Sequence, residues 1–246
     1  MVDQVKHLST AQINNFIDQG FISIDQAFPT EIADECRAIL WKTTNCDPDD
    51  TSTWTQPVIR IGELALEPFR KAANTEILTN AFDQLAGKGN WLPRQRMGSF
   101  PIRFPGIGPA NDTGWHVDAS FPGDDPDNYL EWRINVYSKG RALLMLFLFS
   151  DVSEQDAPTI LRIGSHGDVA KILAPEGEKG LSFMELAQEL SNLPKRQTAL
   201  ATGRAGTVYL CHPFMAQPAL LTRQDFTLNQ SGDTLSPVEK AILLHL

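Results

Sequence analysis

Between residues 95 and 212 the chain reads as a series of short strand candidates separated by Gly, Pro and Asp clusters. That punctuation constrains the fold more than any other feature. The candidates are residues 95–104, 116–121, 132–137, 142–151, 159–163 and 206–212. Short strands broken by turn signals suit a sandwich or barrel. One helix interrupts them after Ser182, with Phe183, Leu186, Ala187 and Leu190 on one side. Helix signals come first in the chain. Ser9 is placed to cap, Gln12 stands at the capping-box position, Ile13, Phe16 and Ile17 form a stripe, and Gly20 ends it. Residues 21–24 alternate like a strand. A second helix follows Pro29-Thr30, with Ile32, Cys36, Ile39 and Leu40 on one face. After a polar loop over 45–55, residues 58–61 read as a strand and 75–85 as a third helix stopping before Gly87. Ser236-Pro237-Val238-Glu239 opens a last helix with a cap, a Pro at its first position and a capping-box Glu. No repeat or linker divides the chain. The expectation is one domain over residues 1–246, mainly β with flanking helices on an antiparallel sheet fold.

The chain carries 30 acidic and 21 basic residues, a net charge of −9. That balance argues against nucleic acid and anionic membrane as partners, since both recruit basic patches. Cys36, Cys46 and Cys211 are widely spaced with no Cys-x-x-Cys, so neither a disulfide framework nor a thiolate metal site is indicated. A reducing cytoplasm is the expected setting. Met1-Val2-Asp3-Gln4 lacks the basic start of a signal peptide, and the longest apolar run, 142–149, is too short to span a bilayer. Oligomeric state leaves no mark in the sequence.

Chemistry concentrates at Gly114-Trp115-His116-Val117-Asp118-Ala119-Ser120. Along a strand, residues two apart share a face, so His116 and Asp118 project together. An imidazole beside a carboxylate supplies two of the three ligands of a facial triad for non-haem Fe(II). By itself His-x-Asp is common, and a surface strand with a His–Asp pair is its ordinary alternative. The neighbours favour a site: Gly114 permits close backbone approach, Trp115 and Phe121 are placed to wall a pocket, and Pro122 to Pro126 reads as a loop leaving it.

Five stretches resemble the phytanoyl-CoA dioxygenase family of Fe(II)/2-oxoglutarate oxygenases. They are Phe16-x-x-x-Gly20-Phe21-Ile22; Gly98-Ser99-Phe100-Pro101-Ile102-Arg103-Phe104; and Gly114-Trp115-His116-Val117-Asp118. Next comes Arg141-Ala142-Leu143-Leu144-Met145, running into Asp156-Ala157-Pro158-Thr159 and Gly164-Ser165-His166. The last is Gly206-Thr207-Val208-Tyr209-Leu210-Cys211-His212-Pro213. Together they span most of the chain in family order. The resemblance implies a double-stranded β-helix, a cupin-like jelly roll with iron between its sheets. It implies Fe(II) and 2-oxoglutarate as cofactors, a small organic substrate, and a metal held by His116, Asp118 and a distant His. It also implies a basic residue for the far carboxylate of 2-oxoglutarate.

The third ligand is where this chain departs from the family, whose members continue from His-Pro to a second His and then an Arg. Here the sequence is His212-Pro213-Phe214-Met215-Ala216-Gln217-Pro218. Without a gap, Gln217 falls at the ligand position. With a gap, Phe214 to Pro218 matches the segment beyond the Arg and the ligand-bearing hairpin is missing. The gapped alignment resumes on both sides of the junction, which points to an internal deletion or an omitted loop; an intact mass matching 246 residues rules out the latter. His212 is the remaining His near that strand end and so the candidate third ligand, although family members do not normally ligate from that position. The candidates for the 2-oxoglutarate carboxylate are Arg133, Arg141 and Arg223, with Arg103 on a neighbouring strand; a solvated charge or structural ion pair is the plain alternative for each. Arg133 and Asn135 share a face.

Other groups read as structural. His166 shapes a turn, His7 and His245 lie near the termini, and Cys211 sits on an apolar strand as a buried thiol. Trp54, Trp91, Trp115 and Trp132 are pocket or core aromatics, with Trp115 best placed for a pocket. No Gly-x-Ser-x-Gly, phosphate loop or Gly-x-Gly-x-x-Gly occurs. Two alternatives to the oxygenase stand: an impaired member of the fold acting as a binding or structural protein, and a metal-independent jelly-roll isomerase or sugar-binding protein.

Overall fold

The computed structural model describes residues 7–104, 108, 114–218 and 236–244. Helix α1 (Thr10–Gln19) starts as its capping box dictates: Ser9 accepts from the Gln12 amide while the Gln12 side chain reaches back. It stops at Gly20, whose φ of 87° suits glycine, and the chain turns directly into β1 (Phe21–Ile24). Helix α2 (Thr30–Thr44) buries Ala33, Cys36 and Leu40 and ends on Asn45 in the left-handed region. Strand β2 (Val58–Ile61) is followed by α3 (Glu67–Ala73), α4 (Glu76–Ala86) and β3 (Phe100–Arg103). Helix α3 carries no long apolar period. It starts at Glu67 with Pro68 in its first turn and is held by burial of Phe69, Ala72 and Ala73, so tertiary packing makes it a helix.

The middle of the chain is made of short pieces: β4 (Trp115–His116), β5 (Arg133–Ile134), β6 (Leu144–Phe147) and β7 (Ile160–Arg162). Helix α5 (Ser165–Leu173) begins where the sequence suggested a turn. Gly164 does adopt φ 71°, but the helix starts immediately after it and buries His166, Val169, Ala170 and Leu173. Then come β8 (Leu181–Ser182), α6 (Phe183–Ser191) with a Ser182/Glu185 capping box, β9 (Thr198–Leu200), β10 (Val208–Cys211), β11 (Gln217–Pro218) and α7 (Pro237–Leu243).

The largest sheet among the described residues has three strands, in the order β1-β10-β6. Four two-stranded antiparallel ribbons accompany it: β2-β3, β4-β11, β5-β8 and β7-β9. In the central sheet Leu210 pairs with Ile22 on one side and Met145 on the other. Its inner face packs on helices α1 to α4 through Phe16, Cys36, Phe69 and Phe82. A second cluster joins Val117 and Ile134 to α5, α6 and α7. The fold is therefore β-rich in its middle and helical at its flanks, with helices α5 and α6 inserted among the strands. No helix of the described residues is long and apolar enough to cross a membrane.

Candidate metal centre and cavity

The segment from Trp115 to Phe121 is pinned at both ends. Strand β11 pairs with β4, setting Gln217 opposite His116, and the Ser120 and Phe121 amides both donate to the Arg133 carbonyl. His116 and Asp118 are 1% exposed and point toward each other, with His116 Nε2 3.2 Å from Asp118 Oδ1. The second Asp118 oxygen, Oδ2, lies 2.9 Å from Arg141 Nη1, and Arg141 Nη2 donates to the Ala119 carbonyl at 3.1 Å. A buried cluster of imidazole, carboxylate and guanidinium results.

Arg141 reaches the pair because a tight turn delivers it. Ser138, at φ 51°, donates through Oγ to the Arg141 carbonyl at 2.6 Å, and Ser120 donates to the Lys139 carbonyl at 2.6 Å. Asn135 accepts from the Lys139 amide. On the open side of the cluster Phe183 tilts against His116 with ring centroids 5.5 Å apart, and Tyr129 packs on Phe183 and Trp132. Burial, then the nearby Asp118 carboxylate, push the Tyr129 phenol well above the ordinary tyrosine range, so it meets the cluster as a neutral hydroxyl. Sequence reasoning missed Tyr129. Its one signal was position, between the Pro122–Pro126 loop and Trp132.

The other sequence candidates are placed elsewhere. His212 is buried, but its ring lies against His166, Phe214 and Phe16. The Phe214 amide donates to His212 Nδ1 at 3.1 Å, which leaves the proton on Nε2, 3.3 Å from the Val238 carbonyl. One ring nitrogen thus serves the turn after β10 and the other the start of α7. Among the described residues, no three His, Cys, Asp or Glu side chains gather as a metal site. Arg133 donates to the Lys179 and Gly180 carbonyls at 2.8 and 2.7 Å and lies 3.5 Å from Glu185, bracing the loop before β8. Arg223 and His245 lie outside the described residues. His166 is buried at the start of α5, with Nε2 2.9 Å from the Ile17 carbonyl.

A cavity of about 430 Å3 lies between β3 and β6, walled by Trp41, Trp54, Phe104, Leu146 and Phe147, with Arg103 and Gln217 also on its lining. Trp41, Trp54 and Phe104 form a continuous aromatic wall, their ring centroids 5.4 to 5.9 Å apart. Trp115, the aromatic favoured by position in the sequence, does not line it: the Arg162 guanidinium covers its ring at 5.5 Å. Trp91 packs on Phe82, and Trp132 sits in the small cluster with Ala119 and Phe183.

With this geometry described, the chain can be set beside known proteins. No protein-family model matches it, and no curated protein matches it in sequence. Solved structures do. Its fold is similar to that of EctD from S. alaskensis, in a crystal structure with 2-oxoglutarate and 5-hydroxyectoine. The identity is 18%, over 92% of this chain and 78% of that one, with a TM-score of 0.50. HygX from Streptomyces hygroscopicus, with nickel and 2-oxoglutarate bound, matches at 19% identity over 90% of this chain and 85% of that one, with a TM-score of 0.49. At 18% identity the likeness to EctD is one of fold. The chemistry must be argued from this chain's own residues.

Those residues meet one condition of a metal-ligand pair, at a separation that a direct His116–Asp118 hydrogen bond shares. Two donors each about 2.1 Å from one divalent ion and roughly at right angles stand about 3 Å apart. His116 Nε2 and Asp118 Oδ1 are 3.2 Å apart, while Arg141 occupies the other carboxylate oxygen. Ligating carboxylates are commonly oriented by such an outer hydrogen bond.

Proposed function

We propose that this chain is a non-haem Fe(II)/2-oxoglutarate-dependent dioxygenase-like protein of the phytanoyl-CoA dioxygenase type. Its fold is a double-stranded β-helix in a single domain, and it works on a small organic molecule. The observation that carries the reading is the 3.2 Å approach of His116 Nε2 to Asp118 Oδ1 at full burial. An imidazole and a carboxylate at that separation fit two neighbouring positions on Fe(II). The similar EctD structure holds 2-oxoglutarate, which supports the same co-substrate here.

When bound, iron with 2-oxoglutarate supplies the oxygen chemistry. The protein's share is positioning and exclusion of water. His116 and Asp118 hold the metal, and Arg141 fixes the Asp118 carboxylate so that one oxygen faces His116. Phe183, Tyr129 and Trp132 close one side against water. The aromatic wall of Trp41, Trp54 and Phe104 accepts the apolar body of a substrate. Arg103, on the same lining, is placed to meet an anionic end, of the substrate or of 2-oxoglutarate.

A second reading has its own observation. Arg141 already brings a buried positive charge to Asp118, so the cluster is electrically satisfied without a metal. On that reading the chain is a metal-poor binding protein that uses the cavity alone. Anaerobic titration with Fe(II) and 2-oxoglutarate separates the two. A visible metal-to-ligand charge-transfer band, lost in His116→Ala, is expected for the first reading. No band, with apolar ligands still entering the cavity, decides for the second.

A further inference from the structure

We infer that Gln217 supplies the third protein donor of the metal centre, through its side-chain amide oxygen. The inference rests on His116 and Asp118 being metal ligands, and it names what completes the set in this chain. Directly opposed residues of an antiparallel pair project from the same face with their Cβ atoms about 5 Å apart. Gln217 is the residue opposed to His116. Its side chain is 2% exposed, and Oε1 is buried with no hydrogen-bond partner. A buried amide oxygen left in that state is costly unless something accepts its lone pairs. A divalent cation between the strands does so. Gln217 is also on the lining of the cavity, which does not itself include His116, Asp118 or Arg141.

One imidazole, one carboxylate and one amide oxygen make a harder and weaker donor set than two imidazoles with a carboxylate. The ion taken is therefore a first-row divalent cation that accepts oxygen donors, held less tightly than by a full triad. His212, with both ring nitrogens committed to Phe214 and Val238, does not compete for the position.

The test is anaerobic titration of the full-length protein with Co(II) as the probe. Binding is read by visible absorption and by the rise in unfolding temperature, neither of which depends on turnover. Gln217→Glu keeps the shape and adds charge, and Gln217→His supplies an imidazole. Each should tighten Co(II) on the order of tenfold or more, and Gln217→Ala should loosen it by a similar factor. Gln217→Glu guards against a variant that merely fails to fold. Equal affinity in wild type and all three variants, with binding lost in His116→Ala, overturns the role of Gln217 and leaves the pair standing. Binding by Gln217→His and not by wild type also overturns it, since the amide then donates nothing. Unchanged binding in His116→Ala, or none in any variant, overturns the metal centre itself.

Discussion

Arg141 and Asp118 form an ion pair at 2.9 Å with both side chains sealed from solvent. Such a pair yields little net stability, because each charge has lost its hydration, but removing one partner strands the other in a low-dielectric site. Arg141→Met should therefore cost about 3–5 kcal/mol in urea unfolding. Adding Asp118→Asn should return a good part of that, because the stranded charge goes with it. A single-variant loss below about 1 kcal/mol would show the pair to be water-accessible.

His212 offers a contrast with His116. Each is buried, yet His212 spends its ring nitrogens on Phe214 and Val238. His212→Ala should leave Co(II) affinity unchanged and lower stability by about 2–4 kcal/mol through a cavity beneath α7. His116→Ala, which empties an equally buried site, should also cost stability but should abolish Co(II) binding. Parallel metal titration and urea unfolding of the two variants check the pairing of effects.

How much of this was readable beforehand follows from how local each feature is. The capping signals at Ser9 and Ser236 act within four residues, and both helices start where those signals say. His116 and Asp118 share a site because alternation along an extended backbone needs no partner. Strand ends were less readable. The candidate over 116–121 shortens to β4 because beyond His116 the backbone hydrogen bonds pass to Arg133, not to a continuing neighbour strand. The sequence offers Arg141 as one of three candidates for the 2-oxoglutarate carboxylate, with Arg133 slightly better placed, and gives no sign of its pairing with Asp118. What selects it is the left-handed turn at Ser138 and Gly140, a long-range closure no pattern announces. The ungapped alignment already offers Gln217 as the residue at the third-ligand position, but the pairing of Gln217 with His116 joins residues far apart in the chain and comes from the folded register.

Gly180 is a position where conformation and space both demand glycine. Its φ is 61°, and a Cβ there would stand 1.9 Å from the Ile134 carbonyl oxygen. Backbone cannot step aside as a side-chain tip can, so Gly180→Ala should cost at least about 2 kcal/mol. The same loop accepts the Arg133 guanidinium through the Lys179 and Gly180 carbonyls. Urea unfolding of Gly180→Ala beside Gly89→Ala gives the comparison. Gly89 also has a positive φ, but open space surrounds it, so its loss should be the smaller.

The three cysteines should differ in reactivity. Cys36 and Cys211 are fully buried, and Cys46 is half-buried. Burial, with a smaller contribution from the Glu35 charge, pushes the Cys36 thiol up to about 12, and burial raises Cys211 as well. Since the thiolate is the nucleophile, both should stay silent toward a disulfide reagent at pH 8 in the native protein. One thiol, Cys46, is expected to react under native conditions and three after denaturation. Rapid loss of two or more thiols without unfolding would contradict the packing of α2 or β10.

The ion pair of Asp168 with Arg196 gives stability a defined pH dependence. Arg196 grips the carboxylate with two nitrogens, Nε on Oδ2 and Nη2 on Oδ1 at 2.7 Å. Burial works to raise the Asp168 pKa, but the Arg196 hydrogen bonds and charge outweigh it and hold the group below the ordinary 3.8. A carboxylate depressed in the folded state binds its proton more readily when unfolded. Its stabilisation is thus complete well above 3.8 and disappears as the pH falls through its lower folded value. With Arg196 partly exposed, screening limits the contribution to about 1 kcal/mol. Asp168→Asn should lower stability by about that much at pH 7. The gap to wild type should close on acidification below the carboxylate range, read as unfolding temperatures from neutral pH down to about pH 2. A gap that widened toward acid would mean that the pair does not hold Asp168 in its charged form.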